Sequence, residues 1–262
     1  MLAFEQIMTR EMVFFDKEYQ DECAFFCQAR GINYLPHISR NEKCFYYHPD
    51  TQDFEPRNIE RQQVVRPTDQ IYAFSLMDRF QKFDVLFVKE GGILTGVVHY
   101  SDYNRAPVYE DLFKKLFLLE KSLIHLIVEY SGLKKRALKE FLNDSSTEAD
   151  KQTDLVSSDF SGEKMTLKTI LHFTRKYELV KIRNSDIDQI IDLRNKVAHS
   201  DQLVSTSKSN PQSYTINTFK RLILGVNSLA VALKQVGYRL YFMEASLQDD
   251  FSIPVKPLEA YL

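Results

Sequence analysis

No stretch of the 262 residues approaches the ~18 consecutive apolar residues that a membrane-spanning helix needs. The first residues also lack the basic-then-apolar layout of a secretory signal. Together these absences point to a cytoplasmic protein with no membrane partner. Cysteine is scarce: Cys23, Cys27 and Cys44 are an odd set of three and cannot pair off fully. Cys23 and Cys27 fall one turn apart on a predicted helix, among Ala24, Phe25 and Phe26, and read as reduced, core-lining thiols. The six histidines are scattered along the chain, so no metal-ligand spacing emerges. Neither a phosphate-cradling glycine loop nor a Gly-x-Ser-x-Gly elbow occurs, which removes two common catalytic frameworks. A large positive excess is missing too. The net charge of −2 excludes a general nucleic-acid coat.

What is present describes a globular protein of two ordinary domains, 44% hydrophobic and 27% charged. Charge is unevenly spread: residues 1–100 carry a net of −4, which leaves +2 for residues 101–262. Lys134, Lys135, Arg136 and Lys139 cluster, as do Arg175, Lys176, Lys181 and Arg183. Such clusters read first as solvated helix faces, and they permit RNA contact without showing it. The first hundred residues use one pattern twice. Val13–Phe15 leads to a helix over about 18–29, which Gly31 can stop. Strands over 32–38 and 44–47 follow, ending in His48-Pro49-Asp50. Then Gln63–Val65 precedes a helix over about 69–80, a strand over 84–89, a Gly91-Gly92 turn and a strand over 93–99. Ser101-Asp102 opens the next helix. Strand, helix, strand, strand, repeated after about fifty residues, is an internal repeat.

Ile7-Met8-Thr9-Arg10, Gly31-Ile32-Asn33-Tyr34-Leu35-Pro36 and above all Gly96-Val97-Val98-His99-Tyr100-Ser101-Asp102 carry a resemblance to a pair of CBS domains, over about residues 4–107. That resemblance implies a site for an adenine nucleotide or a cyclic oligonucleotide, with Asp102 on the ribose hydroxyls. His99 stands where the family has Thr or Ser. In the first copy, Cys44 to Asp50 keeps the spacing and the Asp but has neither the Gly nor the Thr/Ser. Asp50, Asp102 and His99 are thus the candidate ligand contacts. The alternative for the two aspartates is a turn or N-cap role.

After Pro107 the pattern turns to long helices. Leu112, Leu116, Leu119, Leu123, Leu126 and Tyr130 step by four and three, with Phe113 and Phe117 widening the apolar face. Gly132 breaks the run, and a basic helix over 133–142 precedes a Ser/Thr/Asp-rich loop over 143–162. Helices follow over 166–177 and from a Ser185-Asp186 cap to His199, where the Ser200-Asp201 turn can close it. A polar loop occupies 205–213, and a last helix over about 214–236 is closed by Gly237 ahead of a tail. His125, alone in its helix, reads as a structural histidine. Ile187, Ile190, Ile191, Arg194 and Ala198 recur at helical spacing. Arg194 and His199, about 140° apart on a straight helix, do not share a face, whereas Asn195 and His199 do.

Arg194-Asn195-x-x-Ala198-His199, late in a bundle of antiparallel helices, resembles the signature of HEPN domains, over about residues 108–240. The resemblance implies a metal-independent endoribonuclease that needs no cofactor and assembles its site from two copies. His199 would transfer a proton, Arg194 would hold phosphate, and Asn195 would orient either the imidazole or the phosphate. The alternative gives Arg194 an interdomain ion pair and His199 a helix-capping role. Some toxin-like members are silenced by nucleotidyl transfer to a Tyr two residues after the motif His. Asp201 stands there, so silencing by that route is not expected. The resulting expectation is an α+β chain: a CBS-like pair over 1–107, a HEPN-like helical domain over 108–240 and a tail over 241–262. It would act on RNA as a homodimer. A second expectation is a non-catalytic nucleotide sensor signalling to a protein partner.

Overall fold

The computed structural model describes residues 2–129, 166–206 and 214–247. The expected helix over 133–142, the loop over 143–162, most of the 205–213 loop and the end of the tail lie outside the described residues. The chain is α+β. Its elements run α1 (Gln20–Arg30), β1 (Tyr34–Pro36), β2 (Lys43–His48), β3 (Asp53–Asn58), β4 (Val64–Val65), α2 (Leu76–Lys82), β5 (Val85–Glu90) and β6 (Ile93–His99). They continue with α3 (Ala106–Glu129), α4 (Leu167–Lys176), α5 (Asn184–His199) and α6 (Ile216–Leu247). Two compact units emerge, one of residues 1–112 and 196–224, the other of 113–195 and 225–262. Helices α3, α5 and α6 each contribute residues to both.

The first unit holds two three-stranded sheets, β1-β2-β3 and β4-β5-β6. In the second sheet β4 runs parallel to β5 across α2, and β5 and β6 form an antiparallel hairpin. The first half has a similar order: Phe15 bridges His37 in parallel fashion across α1, and β1 pairs antiparallel with β2. Gly31 ends α1 in the left-handed conformation, φ 63°, its N–H reaching the carbonyls of Cys27 and Gln28. Strand β3 was not anticipated. Its Asp-Phe-Glu-Pro-Arg-Asn run lacks clean alternation and carries Pro56, as suits an edge strand, and it pairs with β2 alone. Helix α2 starts later than the expected residue 69, because the Asp69 carboxylate accepts from Arg66 N–H (2.9 Å) and holds a turn there.

A segment from the far end of the sequence completes this unit. Phe219 packs on Phe80 and Tyr103 at centroid distances of 5.0 and 4.9 Å. Asn104 bonds both backbone groups of Val204, donating to its carbonyl (2.8 Å) and accepting from its N–H (2.9 Å). The Tyr100 hydroxyl donates to the Tyr214 carbonyl (3.1 Å), and that of Tyr109 to the Asp201 carbonyl (2.6 Å). Residues 196–224 are thus grouped with residues 1–112 in one compact unit.

The second unit is helical. Leu116, Leu119, Leu123, Leu126 and Ile127 of α3, Ile170, Leu171 and Phe173 of α4, Ile187, Ile190 and Leu193 of α5, and Val226, Leu229 and Leu233 of α6 are all buried. A Cβ on Gly225 would lie 3.3 Å from the Gln189 carbonyl, so the missing side chain lets α5 and α6 approach closely. The α5 cap differs from the expected Ser185-Asp186. The helix begins at Asn184, and Asp186 reaches back to Arg183, bonding its N–H at 3.3 Å and its guanidinium at 2.8 and 2.9 Å. Ser228 donates to the same carboxylate (3.0 Å), and Arg183 above all holds the Asp186 pKa below the usual carboxylate range. Gly237 does not close α6, which runs on to Leu247. A glycine inside a helix costs only about 1 kcal/mol, which packing along the helix offsets. By length and composition Ile216–Tyr241 is apolar enough to cross a bilayer (mean hydropathy 1.2). Half of that window is buried in the protein, as the core helix of a bundle also is.

Candidate functional site

Strand β6 and the turn after it build the first site. A Cβ on Gly96 would meet Met8 Sδ at 2.9 Å and the Thr9 carbonyl at 3.0 Å, so only glycine admits the N-terminal segment here. That segment then pairs with the strand: Thr9 N–H bonds the Val97 carbonyl (2.8 Å), and Val97 N–H the Thr9 carbonyl (3.0 Å). Beside this crossing lies a cavity of about 520 Å³. Met12, Ile32, Pro36 and Val97 give it apolar walls, and Arg30, His99, Asp102 and Arg105 its polar ones. His99 and Asp102, two of the expected ligand contacts, are therefore neighbours at one pocket.

Asp102 is also a structural group. One carboxylate oxygen accepts from the His99 N–H at 2.8 Å, and the other pairs with Arg105 at 2.7 Å. Arg105 in turn donates to the Met8 carbonyl (3.0 Å) and the Thr9 hydroxyl (2.5 Å), fixing the N-terminal segment. Burial raises the Asp102 pKa, against the opposing pull of the His99 N–H and Arg105. The His99 ring packs on Tyr100 (3.9 Å between centroids) and is 7% exposed. Burial pushes its pKa down to about 3, so the imidazole is neutral. Asp50 does not join these two. It is exposed in the turn between β2 and β3 and lines neither cavity described here. Because β3 pairs with β2, His48–Asp53 is a hairpin turn and not the strand–helix junction the repeat implied.

A second cavity of this unit, about 800 Å³, is lined by Tyr34, Tyr46, Arg57, Phe83, Asp84 and Tyr100, among others. Asp84 accepts from Asn33 N–H at 2.5 Å through one oxygen, and its other oxygen is buried without a partner. Burial pushes the Asp84 pKa up to about 7. Arg57 is already committed, lying over the Tyr46 ring at 4.1 Å and bonded to Glu55 at 2.6 Å.

The end of α5 carries the other expected residues. Arg194, Asn195 and His199 are all exposed. The Arg194 guanidinium lies 3.5 Å from the Asn195 side-chain oxygen, at the limit of a hydrogen bond, and makes no ion pair among the described residues. The helix closes on backbone bonds, Ser200 N–H to Val197 and Asp201 N–H to Lys196, with Ser200 in the left-handed region at φ 54°. Capping therefore does not use the His199 imidazole. The three cysteines are buried and unpaired; burial pushes the thiols of Cys27 and Cys44 up to about 12 and 11, which removes them as nucleophiles. Among the described residues no group of His, Cys, Asp and Glu is placed to hold a metal.

No known relative decides between these sites. No family model, curated protein or solved structure matches the chain. Sequence reasoning missed Arg30, Arg105, Tyr214 and Asp84. Arg105 had a signal, lying three residues after Asp102 as an i,i+3 ion-pair partner, and Arg30 abuts the Gly31 turn. Tyr214 reaches the pocket from 112 positions beyond Asp102, which no local pattern reveals.

Proposed function

We propose that the chain is a metal-independent endoribonuclease of HEPN type, regulated by an adenine nucleotide bound in the 520 Å³ pocket of a CBS-like pair. The observation that carries the catalytic half is the state of the motif side chains. Arg194 and His199 are exposed, and among the described residues neither is spent on an ion pair or a helix cap. That supports the catalytic roles over their structural alternative. Cleavage without a metal needs the RNA 2′-hydroxyl to attack the adjacent phosphorus while the 5′-oxygen leaves. A base takes the hydroxyl proton, an acid protonates the leaving oxygen, and a cation steadies the charge that builds up. Histidine can serve either proton-transfer role near neutrality, and the guanidinium fork fits phosphate oxygens. One chain supplies one such histidine, so acid and base together call for two copies. Asn195, beside Arg194, helps set the phosphate or the imidazole.

The test is an RNA-cleavage assay on the full chain. His199→Ala and Arg194→Ala should each lower the rate by 100-fold or more, with unchanged circular dichroism and thermal midpoint. Products should carry 2′,3′-cyclic phosphate ends, and chelators should leave the rate alone. Full activity in His199→Ala would remove the assignment. A second reading, a non-catalytic nucleotide sensor that signals to a protein partner, draws on the pocket alone. It predicts nucleotide binding with no cleavage by the unaltered protein.

A further inference from the structure

Helix α4 turns to solvent a face that carries charge of one sign. Its sequence, Leu-Lys-Thr-Ile-Leu-His-Phe-Thr-Arg-Lys, contains no Asp or Glu. Leu167, Ile170, Leu171 and Phe173 are buried, whereas Lys168, Arg175 and Lys176 are exposed. Lys168 and Arg175 are seven residues apart, so they project within about 20° of each other and about 10 Å apart along the axis. Lys181 adds to the far end of this face. The N–H groups of Leu179 and Val180 both bond the Thr174 carbonyl (2.8 and 3.3 Å) and fold the chain back on the last turn of the helix. Lys181 then stands exposed between buried Val180 and Ile182. Over residues 166–183 Glu178 is the one acidic residue, against five Lys and Arg, in a chain whose net charge is −2. Arg183 is spent on Asp186, but Lys168, Arg175 and Lys181 make no ion pair among the described residues.

Helix stability explains only part of this face. The negative end of the helix dipole favours Arg175 and Lys176 in the last turn. Lys168 instead stands in the first turn, behind the Thr166 cap, where the dipole is positive and a cation is disfavoured. We infer that Lys168, Arg175 and Lys181 grip the phosphate backbone of an RNA strand, away from the motif at the end of α5. Cations spread along a helix meet successive phosphates of a strand, and the planar Arg175 fork takes two oxygens of one of them. Phosphate contacts carry no sequence information, so the grip accepts any RNA sequence. A membrane surface fits less well, because the large apolar side chains of α4 are all buried and none is left to enter a bilayer. Helix α4 and Arg194 belong to one compact unit. That the polyanion is RNA rests on the endoribonuclease reading above; the cationic face does not.

The test is binding of a mixed-sequence 2′-O-methyl RNA, which cannot be cut through its own 2′-hydroxyl, to the full chain, read by fluorescence anisotropy over a salt series. Lys168→Glu, Arg175→Glu and Lys181→Glu together should weaken binding about 100-fold. They should also lower the slope of log affinity against log salt by about 2, as the loss of three phosphate contacts requires. Lys168→Glu alone separates grip from fold. It should weaken RNA binding about 5- to 10-fold while raising the thermal midpoint by about 1–3 °C, because an anion suits the helix start. In the cleavage assay the triple variant should raise KM and keep kcat within about twofold. Binding that responds in this way, with no cleavage by the unaltered protein, would remove the endoribonuclease reading and keep the grip. The inference falls if the wild type does not bind the RNA, or if the triple variant binds it with unchanged affinity and salt slope. It falls equally if the triple variant loses binding to phosphatidylserine vesicles while its RNA binding is unchanged.

Discussion

Two buried side chains in the repeat unit pull on stability in opposite senses. Burial takes the His99 pKa from 6.5 to about 3. The unfolded chain then binds the proton more readily across that window, so the stability this histidine contributes is full above about pH 6.5 and is lost as pH falls. Burial takes the Asp84 pKa from 3.8 to about 7. Here the folded state holds the proton, and the stability is full below about pH 3.8 and is lost as pH rises through 7. The wild-type protein shows the two slopes partly cancelled. Asp84→Asn, which keeps an acceptor for Asn33 N–H, should gain stability over wild type from pH 4 to about pH 7 in urea titrations and level off above that. His99→Asn should gain relative to wild type as pH falls from 6.5 toward 4. An Asp84→Asn difference that stays flat across pH 4–8 would mean this carboxyl is not desolvated. Neither effect was legible in the sequence: Asp84 looked like a strand residue and His99 like a lapse from Thr/Ser, because desolvation is set by what folds over a side chain.

Single elements explain why some of the fold was readable and some was not. Helix α5 announced itself through Ile187 and Ile190, which are buried, but the stripe read on through Arg194 and Ala198 is exposed there, and the buried face runs through Leu193 and Val197. Its start did not, since Arg183 is a poor capping residue by type and is made into one by Asp186 three positions on. Strand β3 hid for a related reason: edge strands need charge and tolerate proline, and its sequence reads as a loop. Gly237 misled because a glycine stops a helix only where the backbone turns left-handed. A left-handed stop is found at the end of another helix, α5, at Ser200, φ 54°, a residue that bears a strained Cβ there. Ser200→Gly should therefore raise stability by about 1 kcal/mol in chemical denaturation, without touching the motif side chains. Gly96 is the converse case. Any Cβ on it must displace the carbonyl of Thr9, whose N–H and C=O each bond Val97 and so pin it in place. Gly96→Ala should cost about 1–3 kcal/mol and loosen the adjoining pocket, read as a lower thermal midpoint and weaker nucleotide binding.

At the scale of the whole molecule, the sequence pointed to two regions but not to the return of residues 196–224 onto the repeats, which rests on contacts about a hundred positions apart. Half of the candidate site was legible, namely the α5 motif and the His99–Asp102 turn, because each is a run of neighbours in the chain. The rest, Arg30, Arg105 and Tyr214, is assembled by folding. The proposed self-association belongs to the same scale. On α3, Phe113 and Phe117 are 60% and 53% exposed and stack at 6.4 Å, with Leu118 beside them at 44%, an apolar face of the kind a second copy covers. Sedimentation should report twice the 30.7 kDa chain mass, and Phe117→Glu should shift it to monomer and remove cleavage. Were a nucleotide to regulate cleavage as proposed, its pocket would have to be coupled to His199, which lies in the same compact unit. Asn104 follows the Asp102 turn by two residues and clamps Val204, five residues beyond His199, through both of its backbone groups. A nucleotide alters cleavage only insofar as it binds one arrangement of this clamp better than another. Asn104→Ala should therefore leave nucleotide binding and basal cleavage near wild type while reducing the nucleotide-induced change in rate to less than about twofold. By reciprocity it should also abolish the effect of a non-cleavable RNA on nucleotide affinity, measured by calorimetry with and without that RNA. A full nucleotide response in Asn104→Ala would show that the signal leaves the pocket by another path.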